Sequence, residues 1–179
     1  MAVAITNTAT PAGAASSGNV TTYAAQSIGT AAVGRFIYVL VGAEVASDPT
    51  SATINIGTGP QTMTVGALAS LGSMRARIFS LRVDETTTAT IAITWSAAVT
   101  GVQNQIGVYA VTGMGNAEAA AGTNTSTDMD STTPLTTGSQ VIGVGGGLLA
   151  IAATADNTTT KTWANATIDL NVDTTTFKY

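Results

Sequence analysis

GRFIYVLVGAE, residues 34–44, decides the fold. It is the longest near-unbroken apolar run that is rich in β-branched and aromatic residues, with an arginine near its start and a glutamate at its end. A membrane span, a buried helix and a central strand compete for it. A span needs about 20 consecutive apolar residues. The runs at residues 36–43 and 148–153 are far shorter. β-Branched and aromatic side chains lose rotamer freedom in a helix and pack well on a pleated surface. Both alternating sets are apolar: Ile37, Val39 and Val41 on one side, Phe36, Tyr38 and Leu40 on the other. Gly34 and the turn Ser47-Asp48-Pro49 bound the run. The stretch predicts a strand covered on both faces, in the middle of a sheet.

The neighbouring segments read as shorter strands. The chain is strand-like from Val20 onward. In residues 51–57, Ala52, Ile54 and Ile56 alternate with Thr53 and Asn55, and GTGP at 57–60 forms a turn. Residues 61–65 make a short strand, and residues 67–73 are small and ambiguous, open to a single helical turn. Residues 74–83 form a strand with Arg75 and Arg77 on the same side as Phe79, Leu81 and Val83, which places the arginine end near a rim. Asp84-Glu85 is a turn. Over residues 88–95, Ala89, Ile91, Ile93 and Trp95 face inward while Thr88, Thr90 and Thr94 face outward. Residues 102–114 give another strand, then a long polar loop at 115–133, then strands at 139–144, 148–154 and 162–172. Eight to ten short strands and no long helix predict an all-β antiparallel sandwich, jelly-roll-like or immunoglobulin-like. Residues 1–18 are Ala, Thr, Gly and Ser with little to bury, and are expected as a flexible, extended N-terminal arm or loose edge segment before a β-sandwich domain at 19–179.

The chain has 179 residues, 9% of them charged, and a net charge of −4. An ordinary soluble domain carries about 25% charged residues. Threonine, serine, asparagine and glycine supply the polarity here. Desolvating a hydroxyl costs far less than desolvating a charge, so such a surface is easily buried against a neighbour. Six basic residues, three of them Arg75, Arg77 and Arg82, make a poor phosphate-binding face, and nucleic acid is not an expected partner. The start MAVAITNTATPAGAASSGN has no positive segment ahead of an apolar core and is a poor secretory signal. No membrane association is expected.

Cysteine and histidine are absent, which removes disulfides, thiolate metal sites and the commonest general base. A Ser-Lys pair is the main nucleophilic arrangement left. The carboxylate candidates are Asp84-Glu85, adjacent in a turn, and Asp128/Asp130, whose alternate oxygens resemble a calcium loop but lack its glycine and closing glutamate. The glycines at 143, 145, 146 and 147 lack the ending of a phosphate loop and read as a hairpin turn. Glycosylation sequons at Asn19, Asn124, Asn157 and Asn165 are of the kind a threonine-rich chain generates by chance. Trp95 is in register with the core, whereas Trp163 alternates out of phase and is a candidate exposed aromatic or interface anchor. No catalytic residue, cofactor or metal is expected.

The order of pieces carries a resemblance. Thr22-Tyr23 and Gly29-Thr30-Ala31 lead to the arginine-opened strand RFIYVLV at 35–41. ATINIG at 52–57, TTATIAITWS at 87–96 and IGVYAV at 106–111 follow. Over roughly residues 20–172 this resembles the small β-sandwich virion structural proteins of tailed bacteriophages. The resemblance is one of pattern and composition. It implies a non-enzymatic role on the exterior of the particle, foremost as a head decoration (cement) protein bound to the major capsid protein as a homo-oligomer, a trimer among the options. The alternative is a tail or tail-fibre component that recognises a host glycan or receptor. Met1, Val3, Ile5 and Pro11 in the arm, Met129 in the long loop, and Trp163 are the candidate interface residues.

Overall fold

The structure, a computed structural model, describes residues 3–11, 16–99, 104–114, 147 and 149–151. Nine strands and no helix occur among them: β1 (Ala4–Ala9), β2 (Val20–Ser27), β3 (Phe36–Glu44), β4 (Pro49–Asn55), β5 (Pro60–Thr62), β6 (Thr64–Leu71), β7 (Met74–Arg82), β8 (Thr88–Trp95) and β9 (Asn104–Thr112). They form two antiparallel sheets. One has the order β1-β9-β3-β7-β6 and the other β2-β8-β4-β5.

The run that decides the fold is β3, and it lies at the centre of the five-stranded sheet between β7 and β9. Ile37, Val39, Val41 and Ala43 are fully buried and face the second sheet, within the main core cluster. Phe36 and Leu40, on the opposite side, are also buried, and so are Tyr109 and Val111 beside them on β9. The expected burial of both faces is observed, except that Tyr38 is only half-buried. Each such side chain is worth about 1.5–3 kcal/mol relative to exposure.

The second sheet contributes the other half of the core. Ala52 and Ile54 of β4, Ala89, Ile91, Ile93 and Trp95 of β8, and Tyr23 of β2 point between the layers. The alternation read from residues 88–95 is reproduced residue by residue. Two buried polar links lie in this core, the first between the sheets and the second within the four-stranded sheet. Tyr23 Oη donates to Asn104 Oδ1, and Trp95 Nε1 donates to Thr21 Oγ1 at 2.9 Å. A buried phenol or indole N–H left alone would cost about 1–3 kcal/mol.

Two local expectations are revised. Residues 67–73, open to a helical turn, belong mostly to β6, which ends at Leu71. The absence of a side chain at Gly66 lets β6 approach β7 so closely that a Cβ there would lie 2.6 Å from the Ile78 carbonyl oxygen. Ladder hydrogen bonds to β7 outweigh the helical preference of Ala and Leu. The expected single strand at 61–65 is split. Met63 is buried and its amide donates to the Ala52 carbonyl at 2.9 Å, and the chain passes there from one sheet to the other.

Residues 4–9 of the expected arm form β1, an edge strand paired with β9. Main-chain hydrogen bonds order a segment whose side chains offer little to bury. The long loop at 115–133 and the strands expected at 139–144 and 162–172 lie outside the described residues; of the strand expected at 148–154 only residues 149–151 are described, and they belong to no strand.

Candidate functional site

Arg35 is fully buried at one end of the sandwich. Its guanidinium donates to five main-chain carbonyls. Nε bonds Val83 at 2.9 Å, Nη1 bonds Gly29 at 2.8 Å and Thr30 at 2.7 Å, and Nη2 bonds Glu85 at 2.7 Å and Thr86 at 3.0 Å. Five N–H donors meet five acceptors, the full capacity of the group. Burial pulls the guanidinium below its ordinary value, and the nearby charge of Asp84 opposes that. It remains a cation, because arginine stays protonated in proteins. Thr86 adopts a left-handed backbone, φ 59°, at the carbonyl that closes this collar. A β-branched residue there is strained.

At the opposite end, Arg77 ties the two sheets together. Its Nε donates to Gly66 of β6 at 2.8 Å and its Nη1 to Pro49 of β4 at 2.7 Å. Arg75 pairs with Asp48 and donates to the carbonyls of Gly72, Met74 and Ala46. The expected rim position holds, but these arginines are struts and not merely solvated edge charges.

An open cleft of about 360 Å³ lies beside the Arg35 collar, lined by Ile56, Thr58, Gln61, Arg82, Asp84 and their neighbours. Two of its charged side chains satisfy each other. Arg82 donates to Asp84 at 3.0 and 2.8 Å, and Asp84 also accepts the Gly34 amide at 3.0 Å. The Arg82 hydrogen bond is foremost in holding the Asp84 carboxyl below the usual carboxylate range. Asp84 is thus engaged in an ion pair with Arg82, while the main-chain oxygen of Glu85 accepts from Arg35. Among the described residues no group of three acidic, histidine or cysteine side chains comes together as a metal site.

The outer face of the four-stranded sheet is uniform in its polarity. Register places Thr22, Ala92, Thr53 and Thr62 in one row across all four strands, with Val20, Thr94 and Ser51 in the next. These side chains are half-buried or exposed. β2, β4, β5 and β8 contain no charged residue. All charges of the described residues lie on β3, on β7 or in the connections.

Of the expected interface residues, Val3, Ile5 and Pro11 are half-buried. Val3 and Ile5 pack against Gly147 of their own chain, so closely that a Cβ at that glycine would lie 2.5 Å from Ile5 Cδ1. Met1, Met129 and Trp163 lie outside the described residues. Arg35 was missed as a buried clasp and Arg77 as a half-buried one. The signal available for Arg35 was a lone arginine wedged between glycine and an eight-residue apolar run.

No family model, no curated protein and no solved structure matches the chain.

Proposed function

We propose that the chain is a structural protein of a tailed-phage particle, foremost a decoration protein that stabilises the head through protein-protein contacts. The observation that carries this reading is the distribution of charge. All four arginines among the described residues bond groups of their own chain, and an entire sheet face offers only hydroxyls, methyls and amides. Such a molecule is stiffened from within and easily desolvated from outside, which suits repeated contacts on a lattice where weak individual affinities multiply. The sequence resemblance supplies the particle.

Copy number tests the reading. Quantitative mass spectrometry of purified virions should find the chain at hundreds of copies per particle, as a head lattice requires. A handful of copies would move it to the tail, and absence from the particle would overturn the reading.

A further inference from the structure

We infer that the outer face of the five-stranded sheet is the docking surface for the part of this chain that follows β9, residues 115–179. The inference stands apart from any role on a particle, which copy number reads separately.

The face is built to be covered. An antiparallel sheet with one face on a core commonly turns polar side chains outward on the other. Here the outward set includes Phe36, Leu40, Met74, Ala76, Tyr109 and Val111, each 9% exposed or less. The four-stranded sheet lies on the opposite side, and no described strand lies over this one. Gln105 pairs with Gly42 on the same face and is 3% exposed. Its Oε1 accepts no hydrogen bond among the described residues. A buried amide oxygen calls for a donor, which a covering stretch rich in threonine and asparagine can bring.

Two contacts identify the cover. The chain leaves β9 at Thr112, turns at Gly113 with φ 77°, and brings Met114 to the outward-facing Tyr38, whose Oη donates to Met114 Sδ at 3.7 Å. At Gly147 the chain is on the same face again. A Cβ there would lie 2.5 Å from Ile5 Cδ1 and 3.4 Å from Val3 Cγ1, and Ile5 pairs with Val111. Leu149 and Ile151 are then half-buried while Ala150 is exposed. That is the alternation of a segment with one side laid on a surface. The sequence repeats it further on, where Ala164, Ala166, Ile168, Leu170 and Val172 alternate with polar residues. A one-sided apolar stripe and an outward apolar sheet face each supply what the other needs. Both observed contacts lie within one chain, which favours this occupant over a second copy or another protein.

The experiment uses the full chain, which has no cysteine. Gln105→Cys puts a thiol on the face in place of a larger side chain. Thr22→Cys puts one on the exposed outer side of the four-stranded sheet as a reference. The thiol at position 105 should react with a water-soluble maleimide at least about a hundredfold more slowly than the reference. The ratio should hold on dilution from micromolar to nanomolar chain, because the cover belongs to the same molecule. In a second variant p-benzoylphenylalanine replaces Tyr109, and Met114→Leu removes a nearby methionine, a preferred target of the photoactivated ketone. Irradiation should join position 109 to residues within 115–179 of the same chain, read by mass spectrometry of the monomer. Equal thiol rates overturn the inference. So does protection that fades on dilution, the mark of a second copy, and so do photoproducts confined to residues 1–114 or joining two chains.

Discussion

Arg35 and Val83 hold each other twice. The Val83 amide donates to the Arg35 carbonyl at 2.9 Å, and Arg35 Nε donates back to the Val83 carbonyl at 2.9 Å. This reciprocity sits at the start of β3, where it is needed. Sliding a strand by one position normally exposes its apolar set, and that penalty fixes register. β3 is apolar on both faces, so burial alone penalises a slip weakly. The side chain of Arg35 supplies the missing definition, because its five acceptors exist in only one alignment of residues 29–30 with 83–86.

Arg35→Ala is expected to cost about 3–5 kcal/mol, since it opens a cavity and leaves buried carbonyls unpaired. Arg35→Lys should recover only part of this, because an ammonium has three donors for the five carbonyls. Urea unfolding of the two variants beside the native chain measures both.

Thr86→Gly should stabilise the protein. Threonine at φ 59° carries about 1–2 kcal/mol of steric strain that glycine lacks. Greater freedom of glycine in the unfolded chain takes back about 0.5–1 kcal/mol. A net gain of up to about 1.5 kcal/mol follows, visible as a raised midpoint of thermal unfolding.

Burial pushes the Tyr23 phenol well above the ordinary tyrosine value. The group is neutral when folded and ionises near pH 10 when unfolded. Its stabilisation is full below that pH and is lost as pH rises through and beyond it, because the unfolded chain then releases a proton that the folded chain retains. Tyr23→Phe should lower stability near neutrality by about 1–3 kcal/mol through the abandoned Asn104 contact. It should also flatten the alkaline decline. Denaturant midpoints from pH 7 to pH 11 test both.

Gly66→Ala should destabilise by about 1–3 kcal/mol. The added methyl would meet the Ile78 carbonyl oxygen at 2.6 Å, and relief by moving β6 outward withdraws the Gly66 oxygen from Arg77. Calorimetric unfolding reads the loss. An equal loss in Arg77→Ala and in the double variant would show that one contact transmits it.

Legibility in the sequence followed side-chain periodicity. Ile91, Ile93 and Trp95 declare the inner face of β8 because threonines alternate with them, and Phe36 to Val41 declare a two-sided strand because nothing polar does. Periodicity says nothing about β6, whose Gly, Ala and Ser side chains are too small to contrast, so its place came from backbone fit against β7. It also misses Arg35 and Arg77. A cation in a strand register reads as a rim charge, and only the fold reveals which carbonyls converge on it. The uncharged sheet face was visible in composition as scarcity of charge; its location was not, because scarcity becomes a surface only when four separated strands are laid side by side.

The pairing of β1 with β9 has a consequence during synthesis. Thr8 bonds the Val108 carbonyl across 100 positions of chain. At ribosomal speed the first partner waits roughly 5–20 s for the second. Through that interval AITNTA must stay extended and unattached, and its threonines, asparagine and alanines, with Ile5 the lone bulky side chain, keep the waiting segment from sticking to other nascent chains.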